Sequence, residues 1–234
     1  MTRRRIVDLS QVISAGMVTY PGLPGPEISE HLTRSASAAH YAPGTEFLIG
    51  RISLVGNTGT YVDSPFHRYP DGADLSAVPL ERLADLDGLV IRVPPGQRGP
   101  AARGIGPAML AGHRVAGRAV LLHTGWAVHF GSARYGDPDH PYLTADGVRW
   151  LVDEGAALVG IDSVNIDDSS PAAGGERPAH TGLLAAGIPI VEHLRGLDAL
   201  PDDGFRFTAA PPMIVGMASF PVRAFAVIDD GRPA

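Results

Sequence analysis

An α/β fold built as one unit is what this sequence predicts, and three observations carry the prediction. Short runs rich in Val, Ile, Leu and Phe alternate along the chain with helical stretches. The 234 residues suffice for one sizeable core, and no internal repeat or composition shift marks a second domain, so residues 1–234 are read together. Glycine and proline are abundant, at 29 and 21, so much of the chain must be loops and turns.

In chain order, the apolar runs at residues 6–9 and 46–54 read as strands. Residues 76–86 read as a helix, 89–93 as a strand, 107–111 as a helix and 119–123 as a strand. Residues 144–154 read as a helix because Thr144 is a natural N-cap. Gly155 is a natural stop after Val148, Leu151 and Val152. A strand at 157–162, a helix at 181–186 and strands at 189–191, 205–208 and 222–227 complete the alternation. Residues 94–106 read as an exposed connection, and residues 169–179 as a second loop, a mobile one, between an Asp-rich strand end and His180.

Composition narrows the function classes. A net charge of -6 without any basic block argues against a nucleic-acid partner. With no cysteine, neither disulfides nor thiolate metal sites can form. All 19 basic residues are arginine, which removes a Schiff-base lysine or a lysine general base. Met1-Thr2-Arg3-Arg4-Arg5 runs into Ile6-Val7-Asp8-Leu9-Ser10 without an apolar signal-peptide core. No apolar run approaches the roughly 18 residues of a membrane span. The expectation is a cytoplasmic protein without a membrane partner, its arginine-rich start a frayed, solvated end.

Chemistry concentrates in Asn57-Thr58-Gly59-Thr60-Tyr61-Val62-Asp63-Ser64-Pro65-Phe66-His67. Small residues let backbone approach backbone or ligand closely. Asp63 and His67 offer an anionic oxygen and a titratable nitrogen, the materials of a metal or acid–base site. Taken alone, the segment is equally a tight turn closed by an Asx-type hydrogen bond. A second cluster follows an apolar run at residues 157–168 with Asp162, Asn165, Asp167 and Asp168; His180 comes next, and Glu192-His193 closes the run 187–191. Polar groups at the ends of apolar strands are where α/β enzymes commonly place their chemistry.

The first segment resembles the signature His-x-Gly-Thr-His-x-Asp-x-Pro-x-His of the metal-dependent cyclase/hydrolase family that includes bacterial kynurenine formamidase and isatin hydrolase. Gly59, Thr60, Asp63, Pro65 and His67 match it. Val7-Asp8-Leu9-Ser10 resembles the family's opening strand, Tyr20-Pro21-Gly22 its substrate-side loop, and His180 with Glu192 its downstream ligand pair. The resemblance spans nearly the whole chain. It implies a swivelling β/β/α barrel of mixed strands with flanking helices, and a homodimer or homotetramer in which a neighbouring subunit closes the pocket. Two positions depart, because two of the family's metal-binding histidines are Asn57 and Tyr61 here. Both are poorer ligands than imidazole, so the ion they would hold is expected to be lost. The remaining set, Asp63, His180 and Glu192, suits one Zn²⁺ or Mn²⁺ with an open position for water. One ion, no ion and a rearranged site all stay open.

The resemblance gives His67 the catalytic role of general acid or base in hydrolysis of a small amide, formamide, lactam or lactone. A metal-free cyclase, dehydratase or isomerase using His67, Tyr61, Asp63 and Asn57 is the alternative, and a non-catalytic small-molecule binder a third. Tyr20, Phe66 and Arg177 are expected at the substrate, with Arg68, Phe47 and Trp126 as further wall candidates; guanidinium forks match a carboxylate, and aromatics are equally core material. The acidic residues 162–168 are expected to orient His180 or His67, to cap a helix, or to supply oxygen ligands. His193 is expected to face away from the site or into solvent.

Overall fold

The continuous apolar runs become the central strands of one sheet. In the computed structural model, which describes residues 4–94 and 103–229, the elements are β1 (Arg4–Asp8), β2 (Glu27–Leu32), α1 (Arg34–Ala38), β3 (Ile49–Ser53), β4 (Tyr61–Asp63), β5 (Leu86–Arg92), β6 (Gly104–Ile105), α2 (Pro107–Leu110) and β7 (Ala119–His123). They continue with β8 (Tyr142–Leu143), α3 (Ala145–Asp153), β9 (Leu158–Ile161), α4 (Pro178–Ala185), β10 (Ile190–Glu192), β11 (Phe205–Thr208), β12 (Ser219–Pro221) and β13 (Phe225–Asp229). Nine strands form a mixed sheet in the order β1-β13-β11-β5-β7-β9-β10-β4-β12. Strands β5, β7, β9 and β10 run parallel, with antiparallel strands on either side. The sheet curls into a half-barrel, so the fold is the mixed α/β architecture the sequence predicts.

Each central strand feeds two cores. Val120 and Leu122 of β7 enter one cluster and Ala119 and Leu121 the other; β5 and β9 alternate in the same way. A sheet covered on both faces needs no polar alternation, which is why these strands read as unbroken apolar runs. On one face α2, α3 and α4 supply Leu110, Val148, Leu151, Leu183 and Leu184. Loops and the antiparallel strands close the other with Leu9, Leu194, Phe205 and Phe207. Each such side chain stabilises the fold by about 1.5–3 kcal/mol on burial. α3 obeys its predicted punctuation: the Thr144 hydroxyl accepts from the amide of Gly147, and Gly155 takes the left-handed φ of 75° just beyond the end.

Several sequence expectations need correction. The helix expected at 76–86 does not form. Pro79 cannot donate within a helix, and the Asp74 carboxylate instead accepts from the amides of Ser76 and Ala77 in an Asx-type turn. Only a 3₁₀ turn, Leu80–Arg82, remains, and β5 already starts at Leu86. The strand expected at 222–227 is β13, shifted to Phe225–Asp229, β12 ahead of it was not expected, and the strand expected at 46–54 shortens to β3. α4 begins at Pro178, ahead of the expected 181, and residues 171–173 form a 3₁₀ turn within the expected loop. Within the 94–106 connection, Gly104 and Ile105 pair in parallel with Tyr142 and Leu143; residues 95–102 lie outside the described residues. Arg4 opens β1 opposite Asp229 rather than fraying, while residues 1–3 lie outside the described residues. β2, α1 and β4 were not expected; β4 has three residues and β2 few apolar ones.

Candidate functional site

Strand register assembles the site. β4 lies between β10 and β12, with Tyr61 opposite Glu192 and Asp63 opposite Ser219. Directly paired residues share a face and successive residues change face. Tyr61, Asp63, Glu192 and Ser219 therefore emerge on one side, while Val62 and Val191 turn into the core behind them. Two glycines make room for this arrangement. Gly59 holds a φ of 64°, and a side chain on Gly56 would strike the Ser219 carbonyl oxygen.

Asp63 and Glu192 are fully buried, as is Asp167. The Ser219 hydroxyl donates to Asp63 Oδ1 and also lies 3.0 Å from His67 Nδ1, so it links the two residues. His67 ends a 3₁₀ turn, Pro65–His67, with Pro65 at its start. Its side chain remains 34% exposed, the most open of the cluster. His180 arrives from the first turn of α4. Its Nδ1 lies 2.6 Å from Asp167 Oδ2, and the same carboxylate accepts from the amides of Ala179 at 2.6 Å and His180 at 3.1 Å. Asp167 thus caps a helix and orients an imidazole at once, two of the uses expected for the acidic segment.

With Nδ1 engaged, His180 directs Nε2 towards Asp63 Oδ2 at 3.7 Å and Glu192 Oε2 at 4.0 Å. Burial pulls the His180 pKa down, but the hydrogen bond to Asp167 and the nearby charges of Asp63 and Glu192 outweigh it and hold the pKa well above the ordinary imidazole value. Burial, aided by the Asp63 charge, pushes Glu192 up to about 7 against the opposing influences of His180, Tyr61 and the Ile166 amide. The Tyr61 hydroxyl donates to Glu192 Oε2, and the Ile166 amide donates to Oε1 at 2.6 Å. Burial and then the charge of Glu192 raise the Tyr61 pKa well above the usual phenol value.

Ligand atoms of Asp63, His67 and His180 all lie within 4.8 Å of one another. Asp63 Oδ2 is buried and accepts no hydrogen bond among the described residues. A buried carboxylate oxygen without a donor, facing an imidazole nitrogen whose partner is already fixed, fits a divalent cation. The chemistry of the donor set, carboxylate with imidazole, suits zinc or manganese.

A cavity of about 610 Å³ opens over this cluster, lined by His67, His180, Tyr61, Glu192 and Asn57 among others. Tyr20, Arg68 and Arg177 line it as well. Phe66 is half-buried and outside that lining. Trp126 packs with Tyr135 and Val164 in a separate aromatic cluster that Tyr20 touches, and Phe47 is 54% exposed against Tyr41. Neither Trp126 nor Phe47 walls the cavity.

The acidic segment divides its labour. Asp162 accepts from the amides of Thr124 and Gly125 and so fixes the loop leaving β7. Asp168 pairs with Arg103 at 3.3 Å, and Asn165 Oδ1 accepts from the Asp167 amide. Neither Asp167 nor Asp168 belongs to the Asp63, His67 and His180 group, and each is held by protein partners. Of the two places expected for His193, solvent is corrected: it is buried outside the cavity lining, holds a left-handed φ of 59°, and places Nδ1 2.7 Å from the Tyr135 hydroxyl. Burial pushes its pKa down to about 3. Ser219 was missed altogether, because Ala218-Ser219-Phe220 carries no motif; only its pairing with Asp63 reveals it.

Comparison with known proteins agrees with this geometry. The family model Cyclase, described as "Putative cyclase", matches residues 7–168. A kynurenine formamidase of Bacillus cereus is 28% identical over 223 residues, covering 93% of this chain and 95% of the relative. One from Salinibacter ruber is 27% identical over 225 residues, covering 94% and 95%. Isatin hydrolase A from Labrenzia aggregata, solved with benzyl benzoate, superposes with a TM-score of 0.80 at 25% identity, covering 97% of this chain and 94% of that one. Matched through its Gly59-to-His67 segment and on to Asp168, the chain belongs to the cyclase family.

Proposed function

We propose that this protein is a metal-dependent hydrolase that cleaves the C–N bond of a small amide, formamide or lactam, with lactones as related substrates. The observation that carries the reading is the Asp63, His67 and His180 cluster, in which the two histidines line the 610 Å³ cavity and Asp63 lies buried beside them. The formamidase and isatin hydrolase relatives support the bond type. Asp63 and His180, the two buried donors, would hold a single zinc or manganese ion. Such an ion supplies Lewis-acid polarisation of a carbonyl and makes water more acidic.

The chain's own residues do the rest. Asp167 fixes the His180 tautomer by accepting from Nδ1, which leaves Nε2 for the cluster. His67 is more open and is held at Nδ1 by Ser219, so it is placed to carry a proton from the attacking water to the leaving nitrogen. Tyr20 offers an aromatic wall, and Arg68 and Arg177 offer guanidinium groups to a substrate carboxylate. Neither arginine stands in an ion pair among the described residues.

Aryl formamides and small lactams, assayed with added Zn²⁺ or Mn²⁺, test the reading. His67→Ala is expected to lower turnover about 10²–10⁴-fold while leaving ion binding intact. Retained activity would remove the proton-carrying role, and loss of ion binding would make His67 a ligand instead.

We also propose self-association through the ribbon formed by β2 and β3. Ile28 and Ile52 face each other across it at 52% and 51% exposure, and Ile49 lies exposed on the other face. A two-stranded ribbon is marginal by itself, and a second copy of this chain would cover it. No helix among the described residues is long and apolar enough to cross a membrane. A cytoplasmic location remains part of this proposal.

A further inference from the structure

Three buried carboxylates surround His180, and in two of them each oxygen accepts from a protein donor. Asp167 accepts from the His180 ring and two amides of α4. Glu192 accepts from the Ile166 amide at one oxygen and from the Tyr61 hydroxyl at the other. Only Asp63 keeps a free oxygen, Oδ2. The contested atom is Glu192 Oε2, 4.0 Å from His180 Nε2 and close enough to join an ion there. A donor on Oε2 takes one of its two lone pairs and holds the carboxylate towards the phenol, so an ion must share that oxygen with Tyr61 or displace it.

Register makes this competition permanent. Tyr61 and Glu192 are direct cross-strand partners, and Tyr61 is pinned on its other side by pairing with Pro221. The His193 ring packs 5.2 Å from the Tyr61 ring, and Tyr61 is only 3% exposed. The phenol therefore has nowhere to turn. Resting on the hydrolase reading above, we propose that Tyr61 sets the divalent-ion affinity of the site by holding Glu192 out of the ligand set. The native site then binds its ion through Asp63 and His180, more weakly than a site using all three residues.

The test is competition for Zn²⁺ and for Mn²⁺ against a chromophoric chelator, using the full chain and three variants. Tyr61→Phe keeps the ring and frees the carboxylate, and is expected to bind either ion about tenfold more tightly, the worth of one charge-assisted hydrogen bond. A merely structural role for Tyr61 would instead weaken binding. Glu192→Gln alone is expected to change affinity less than about threefold, and the Tyr61→Phe/Glu192→Gln double variant to lose the gain. Equal or weaker binding by Tyr61→Phe, or a gain that survives in the double variant, would overturn the proposal. Should Tyr61→Phe fold poorly by its thermal transition, Glu192→Gln alone decides. A loss of a hundredfold or more would show that Glu192 is a native ligand and that Tyr61 does not exclude it. Binding of no ion by any of the four proteins would remove the metal-dependent reading itself, and this proposal with it.

Discussion

The β12-β4-β10 wall and the β2-β3 ribbon are both built from antiparallel pairs, yet they behave oppositely. In the wall one face meets the core through Val62 and Val191, and the other presents Tyr61, Asp63, Glu192 and Ser219 in a bonded network. In the ribbon, β3 is exposed along its whole length, and Ile28, Ile49 and Ile52 stay half open to solvent. Burial on one face fixes register and makes each polar neighbour specific. Exposure on both faces leaves apolar area that a single chain does not cover. The wall is a finished piece of structure; the ribbon leaves its apolar residues uncovered, and the self-association proposed above would cover them.

The largest expected effect would break the wall. Asp167→Ala leaves His180 and two α4 amides without their acceptor, so unfolding free energy should fall by about 3–5 kcal/mol. Zinc affinity should fall about 10–100-fold. Denaturant titration and chelator competition measure the two, and a loss below 1 kcal/mol would show that Asp167 does not hold the wall to α4.

A smaller effect sharpens the description of the wall's interior. His193 has a folded pKa of about 3, below the roughly 6.5 of an unfolded histidine. The unfolded state therefore binds the extra proton first. The contribution is fully present above pH 6.5 and is lost as pH falls towards 3, by about 2 kcal/mol at pH 5. Thermal unfolding of His193→Asn, which tolerates the left-handed backbone, should be weaker at neutral pH yet flatter between pH 7 and 5. A pH dependence identical to the wild type would assign the acid sensitivity elsewhere.

The smallest effect on the chain itself belongs to the ribbon. Ile28→Thr with Ile52→Thr should change the unfolding free energy of the separated chain by less than about 0.5 kcal/mol. It should convert the assembly to monomer in light scattering. An unchanged mass would move the contact away from the ribbon.

How much was legible follows from which signals are local. The central strands were visible because burial on both faces writes itself into four or five consecutive apolar residues, as in Ala119–His123. α3 was visible because Thr144 and Gly155 mark its ends chemically. The helix expected at 76–86 failed because the apolar spacing there was helical while Asp74, outside the window, claimed the first amides. Asp63, His67, His180 and Glu192 were found by motif and order, and Ser219 was not, since nothing near it in sequence distinguishes it.

The sequence by itself determined the α/β class, the central strands, the family signature with its two departures and the four titratable residues around the cavity, because each is encoded in a run or spacing of a dozen residues or fewer. Tertiary structure decided which of those groups remain free. The phenol of Tyr61 meets Glu192 from 131 positions away, Ser219 meets Asp63 from 156, and Asp167 reaches back to His180 across 13. Hydrogen-bond occupancy depends on distances of a few ångströms, and strand register, not sequence separation, sets those distances.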